Sequence, residues 1–166
     1  MRYAKVRSMD IVNGCGVVCS LFLQGCTHHC KGCFNKETWD FKGGKEWTDI
    51  VNNKFLTLCS NPNIDAISVL GGEPLDQAIE LYELLSKVKQ QTNKPIYLWS
   101  GYLYEDIVND SIKFRLVKEC VDVLIDGKFK EELKDLKLKL RGSSNQRVID
   151  VKKSLEQDKV VLWEEC

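Results

Sequence analysis

Apolar residues gather along the chain in short runs of β-branched and large aliphatic side chains, separated by longer stretches with apolar positions three and four residues apart. Four runs read as buried strands: Ser20 to Gln24, Asp65 to Leu70, Ile96 to Ser100 and Val121 to Ile125. Ile79, Tyr82, Leu85 and Val88 recur at helical spacing, which predicts an amphipathic helix from Asp76 to Gln90. Trp47 to Cys59 and Tyr104 to Cys120 are less regular helical segments. Strands alternating with helices predict an α/β fold with a parallel sheet, because parallel neighbours need a crossover connection. Towards the C-terminus the pattern weakens. Lys128 to Lys139 is charged and reads as a short helix or loop, and Val160-Val161-Leu162-Trp163 as a last strand or packing segment.

A chain of 166 residues with three prolines, no internal repeat and no low-complexity tract is expected to form a single domain over 1–166. Lys and Arg together number 24, as do Asp and Glu, so the formal net charge is zero and no broad attraction to nucleic acid or anionic membrane is implied. No apolar run has the length of a membrane span, and Met1 to Lys5 leads into mixed sequence without the apolar core of a signal peptide. The expected location is the cytoplasm. The eight cysteines then read as reduced thiols or metal ligands rather than a disulfide framework.

Ligands of α/β folds bind at the carboxyl ends of the strands, and the polar, glycine-containing segments of this chain fall there. After the first strand come Cys26, Cys30 and Cys33 in Cys-x3-Cys-x2-Cys spacing; after the second, Gly71-Gly72-Glu73-Pro74; after the third, Ser100-Gly101; after the fourth, Asp126-Gly127-Lys128. Soft thiolates favour zinc, copper(I) or iron-sulfur clusters. Structural zinc and ordinary ferredoxin clusters take four protein ligands, whereas this loop offers three. Two readings follow: a four-iron cluster with one iron left open, or a zinc knuckle completed by His28, His29, Cys19 or Cys59. Two glycines after a buried strand let the backbone approach a ligand, although a plain strand-to-helix turn with Pro74 opening the helix would look the same.

The cysteine spacing followed by the Gly-Gly-Glu turn resembles the radical S-adenosylmethionine (SAM) superfamily. The string from Asp10-Ile11-Val12-Asn13-Gly14 through Gly25-Cys26 to Cys33-Phe34-Asn35-Lys36-Glu37-Thr38-Trp39 is similar, more narrowly, to the activating proteins of anaerobic (class III) ribonucleotide reductases. Trp99-Ser100-Gly101-Tyr102, Asp126 to Phe129 and Arg141 to Gln146 carry the likeness along most of the chain. The aromatic residue that many superfamily members place just before the third cysteine is here Gly32, with Phe34 one step later, a departure those activases share.

The resemblance implies an incomplete radical SAM barrel of parallel strands with helices outside. It implies a 4Fe-4S cluster on Cys26, Cys30 and Cys33, with SAM as the second cofactor. The amino group of SAM would be held by Gly71, Gly72 and Glu73, and its adenine by the backbone of Gly32, Cys33 and Phe34. Ser100 and Asp126 form a second tier, at strand ends where polar residues are common in any α/β protein, that would reach the SAM carboxylate and ribose or, for Asp126, a cation or the entering substrate backbone, and Arg141 to Arg147 is expected at the mouth or on the partner surface. The implied reaction is reductive cleavage of SAM, with a flavodoxin-type reductant supplying the electron, and formation of a glycyl radical on the reductase large subunit. Activation of another glycyl radical enzyme, or a non-enzymatic iron-sulfur or zinc module, are the rival functions. Among the other cysteines, Cys15 and Cys19 read as a redox pair, auxiliary ligands or packing residues, Cys59 and Cys120 as core, and Cys166 as an exposed terminal residue. His28 is expected to hydrogen-bond near the cluster.

Overall fold

The structure, a computed structural model, describes residues 1–164. Its strands β1 (Arg2–Asp10), β2 (Val18–Leu23), β3 (Lys45–Glu46), β4 (Ala66–Gly71), β5 (Ile96–Trp99), β6 (Val123–Asp126) and β7 (Arg147–Asp150) form one sheet in the order β3-β1-β2-β4-β5-β6-β7. The four expected strands are β2, β4, β5 and β6, and they pair in parallel as anticipated. The three unexpected ones, β1, β3 and β7, are antiparallel and lie outside them. The sheet is therefore mixed, not wholly parallel.

The central strands read as nearly unbroken apolar runs because both of their faces are covered. On β5, Ile96 and Leu98 point to one face, while Tyr97 packs in a second cluster on the other. The first face carries the main core, in which Leu21, Leu23, Ile67, Val69 and Leu124 of the sheet meet Phe55, Leu81, Leu85, Ile107 and Leu116 of the helices. Each such Leu or Ile, fully buried, contributes about 1.5–3 kcal/mol of transfer free energy. The helices α1 (Asp49–Cys59), α2 (Ala78–Gln91), α3 (Tyr104–Val108), α4 (Ser111–Cys120) and α5 (Val151–Gln157) all place their buried apolar residues in this one core. Helices thus cover one face of the sheet, and the opposite face is left to loops.

Local signals set the helix limits. Thr48 caps α1 by accepting the Val51 N–H, which starts the helix two residues after Trp47. The predicted helix at Asp76 opens instead with a 3-10 turn, Pro74–Gln77, before α2 begins at Ala78. The single helix expected from Tyr104 to Cys120 is two helices, because the Asp110 carboxylate accepts the N–H groups of Ile112 and Lys113 and starts a fresh helix there. Lys128 to Lys139 is mainly loop with a 3-10 turn at Glu131–Leu133, and the Val160–Trp163 segment touches β7 through an Ile149–Leu162 bridge. Among the described residues no helix is long and apolar enough to cross a membrane.

Candidate metal centre

At the carboxyl end of β2 the chain turns sharply through Gly25, at φ +103°, into the cysteine loop. That loop closes on itself: the Gly25 N–H donates to Thr38 O (2.7 Å) and the Cys26 N–H to Trp39 O (3.1 Å), while the Gln24 side-chain amide donates to Glu37 O and Asp40 O. Within it the Cys33 N–H donates to Cys30 O (3.1 Å), Gly32 takes φ +74°, and the Asn35 N–H donates to Cys33 Sγ (3.4 Å). His29 stacks on Trp39 with ring centroids 4.6 Å apart.

The three cysteines line a single cavity of about 490 Å3 on the face of the sheet opposite the helices. Gly71, Gly72 and Glu73 from the end of β4, Ser100 and Gly101 after β5, and Gly127 after β6 line the same cavity, with Phe34 and Phe129 at its side. The strand-end segments marked in the sequence do converge. Gly32 and Asp126 are the two predicted site residues that do not line it. Asp126 is fully buried, and its carboxylate accepts the Tyr104 N–H (2.8 Å) and two donors of Arg147.

Gly72 is fixed by close approach. A Cβ there would stand 2.1 Å from Gly25 O and 3.0 Å from Thr38 O, both backbone atoms. The N–H groups of Gly72 and Glu73 donate to Leu23 O (2.9 Å) and Gly25 O (2.8 Å), so the turn is laced to the base of the cysteine loop through its donors. The Glu73 carboxylate, 1 % exposed, is engaged on both oxygens: Oε1 accepts from Leu75 N–H and the Ser100 hydroxyl (both 2.9 Å), and Oε2 from Gly101 N–H (2.6 Å) while pairing with His28 Nε2 (2.9 Å). The expected His28 hydrogen bond is thus made, and its partner is Glu73.

Burial pushes the Cys26 thiol up, and the nearby Glu73 and Asp76 carboxylates add to this against hydrogen bonds from the His28 and His29 N–H groups. Burial likewise raises Cys30, with Cys33 adding and the Phe129 N–H opposing. These N–H groups are ready donors to sulfur, one of the means by which proteins set cluster potential.

Among the described residues, no three His, Cys, Asp or Glu side chains converge on one metal-ion position. Three thiols from one loop match a four-iron cluster with one iron left without a protein ligand, whereas a structural zinc site would need a fourth protein ligand. Of the other residues considered as a fourth zinc ligand, Cys19 and Cys59 are hydrogen-bonded to each other in the core, His28 pairs through Nε2 with Glu73, and His29 stacks on Trp39. Cys19 is a free thiol facing Cys59, so it does not form a pair with Cys15, which packs against the second cluster. Cys59 and Cys120 are core residues as expected, and Cys166 lies outside the described residues.

Several cavity residues escape a motif search. Lys5 and Arg7 of β1 lie over the Phe22 ring, at 4.6 and 5.2 Å, and enter the lining from a strand whose sequence is mostly polar. Trp39, Trp99, Leu136, Leu138 and Leu140 line it as well. Trp99 and Leu140 are joined by a hydrogen bond from Trp99 Nε1 to Leu140 O (2.6 Å). The alternating Lys-Leu run at 136–140 is the available signal, while the alternation in β1 is limited to Ala4-Lys5-Val6-Arg7. Arg141, Gly142 and Gln146 do reach the mouth, where the Gln146 side chain ties Gly142 N–H to Gly127 O.

Sequence comparison defines the class first: residues 12–149 match a family described as a 4Fe-4S single cluster domain. The chain is 37 % identical over 153 residues to a Salmonella typhimurium protein, covering 89 % of this chain and 97 % of that one. An Escherichia coli K12 protein is 35 % identical over the same coverage, and one from Enterobacteria phage T4 is 38 % identical over 152 residues, 89 % of this chain and 93 % of that one. Each of the three is named an anaerobic ribonucleoside-triphosphate reductase-activating protein, and the present chain belongs to that family.

Proposed function

We propose that this protein is a radical SAM activating enzyme that installs the glycyl radical of an anaerobic ribonucleoside-triphosphate reductase. The observation that carries the reading is the meeting of three thiols and the Gly71-Gly72-Glu73 turn in one cavity, at one edge of the sheet. Cys26, Cys30 and Cys33 would hold a 4Fe-4S cluster, leaving one iron without a protein ligand. When bound and reduced by a flavodoxin-type donor, that cluster supplies the electron that splits SAM into methionine and a 5'-deoxyadenosyl radical, which takes a hydrogen atom from a glycine Cα of the reductase large subunit and leaves as 5'-deoxyadenosine.

The protein's own part is placement and exclusion. Because the N–H groups of Gly72 and Glu73 are already engaged, the turn offers a ligand its acceptor side, which suits the ammonium of SAM. The backbone of Cys33 and Phe34 would meet the adenine, and Ser100 would frame the remaining polar groups. With both groups bound, the cavity walls would orient SAM toward the cluster held by Cys26, Cys30 and Cys33 and would exclude water that quenches a radical. A helix-free face fits an incomplete barrel, open enough for a glycine-bearing loop to enter. The cytoplasm, where thiols stay reduced, is the compartment this chemistry requires.

The test is anaerobic electron paramagnetic resonance on reconstituted protein with reductant, SAM and a class III reductase large subunit. A glycyl doublet that requires SAM and each of the three cysteines is expected. Cleavage of SAM without a doublet would reassign the partner to another glycyl radical enzyme, and survival of SAM with an intact cluster would reduce the protein to an iron-sulfur module.

A further inference from the structure

Two carboxylates three residues apart, Glu73 and Asp76, hold the two residues that follow Cys26. Asp76 Oδ2 accepts both the N–H (3.0 Å) and the hydroxyl (2.9 Å) of Thr27, and Oδ1 accepts the Tyr102 hydroxyl (2.8 Å). Glu73 holds His28, the next residue, at 2.9 Å. The two clasps are themselves joined, since the Tyr102 ring packs edge-on against the His28 ring with centroids 4.5 Å apart. Both also reach the end of β5: Glu73 through Ser100 and Gly101, Asp76 through Tyr102. The span from Cys26 to Cys30 is thereby tied to β4 and β5, the strands whose ends face it across the cavity.

We propose that Asp76 is a positioning residue of the cysteine loop, acting with the Glu73 side chain to set where Cys26 and Cys30 stand relative to the Gly71-Gly72 turn. The inference rests on the cluster reading above. Asp76, Thr27 and Tyr102 are not among the residues lining the cavity, so Asp76 acts through the loop and not by touching a ligand. The Glu73 carboxylate has its acceptor sites filled by four protein groups and serves the same clasp, which leaves the SAM amino group to backbone oxygens.

Asp76→Ala removes all three acceptor contacts. Asp76→Asn keeps an oxygen for Thr27 and turns its amide toward the Tyr102 oxygen, so geometry is retained while charge is lost. The measurements are the rate of iron transfer to a colorimetric chelator and the dissociation constant of SAM, both on anaerobically reconstituted full chain, with circular dichroism as the fold control. D76A, which loses all three contacts, should release iron about tenfold faster and bind SAM several-fold more weakly; D76N, which keeps the contacts, should stay within about twofold of wild type. If D76A does not fold, Tyr102→Phe carries the test, with iron release about two- to threefold faster expected for the loss of one of the three contacts.

Wild-type iron release in D76A, or in Y102F where that variant replaces it, overturns the proposal, as does a D76N protein as labile as D76A. A wild type that assembles no four-iron cluster overturns the cluster reading and this inference together. A wild type that holds cluster and SAM while the Asp76 variants match it overturns this inference alone.

Discussion

Replacing Arg147 by Met should strip the protein of a large part of its stability. Arg147, at the start of β7, donates from Nε to Asp126 Oδ1 (3.0 Å) and from Nη2 to Oδ2, and its remaining donors reach the Glu105 carboxylate at 2.7 and 3.0 Å. The Asp126 side chain is 0 % exposed and that of Glu105 57 %. In R147M the buried carboxylate keeps only the Tyr104 N–H as a donor. Removing one partner of a buried ion pair costs about 3–5 kcal/mol, whereas the solvated Glu105 half contributes less than about 1 kcal/mol. At roughly 3 °C per kcal/mol for a chain of this size, the melting temperature should fall by about 9–15 °C. Denaturant midpoints of the apoprotein measure the loss directly. The double variant D126N/R147M should recover most of it, because its amide oxygen still accepts the Tyr104 N–H and no charge is left buried. A single variant less than about 1 kcal/mol below wild type, or a double variant no better than the single, would refute the claim that an unpaired buried charge is the cause.

Gly72→Ala should cost about 1–3 kcal/mol, since its Cβ would collide with the Gly25 carbonyl and only backbone movement can relieve it; iron content per chain and denaturant midpoint should fall together. Leu81→Ala in α2, fully buried, should lose about 2–5 kcal/mol by denaturant titration without changing the absorbance of the reconstituted cluster. At Asp10 burial works to raise the carboxyl, but hydrogen bonds from the Asn13 side chain, the Val12 N–H and the Ser20 hydroxyl outweigh it and hold the group below the usual carboxylate range. A lowered folded-state value stabilises above the unfolded value of about 3.9 and is lost as pH falls through the folded one. Apoprotein stability should therefore exceed that of Asp10→Asn at neutral pH by an amount that shrinks below about pH 4.

The parallel heart of the sheet was legible because β2, β4, β5 and β6 are buried on both faces and so announce themselves as apolar runs. The outer strands were not. β1 carries Arg2, Lys5, Arg7 and Asp10 among few buried positions, and its place beside β2 comes from ladder pairing, which single-residue patterns do not encode. The same blindness hid Lys5 and Arg7 as cavity residues. The cysteines and Gly71-Gly72 stood out in the sequence because thiol spacing and paired glycines are chemically distinctive, and the fold brings them to one cavity. Asp126 sits on the right strand end, but its carboxylate is turned into Arg147, a pairing across 21 residues that local sequence cannot show. Asp76 went unnoticed as more than a helix start, since nothing in a Pro-Leu-Asp-Gln turn marks which loop its carboxylate will reach.

The distribution of helices on one face of the sheet has a thermodynamic consequence. The other face is walled by Trp99, Phe34, Phe129 and the leucines at 136–140, so whatever fills the cavity completes the packing on that side. Occupancy and folding are then linked: a ligand at a hundred times its dissociation constant adds about 2.7 kcal/mol to the native state. Oxidative loss of a cluster from such a protein would be a folding insult as well as a chemical one, and its lifetime in air would be set as much by chain stability as by the iron.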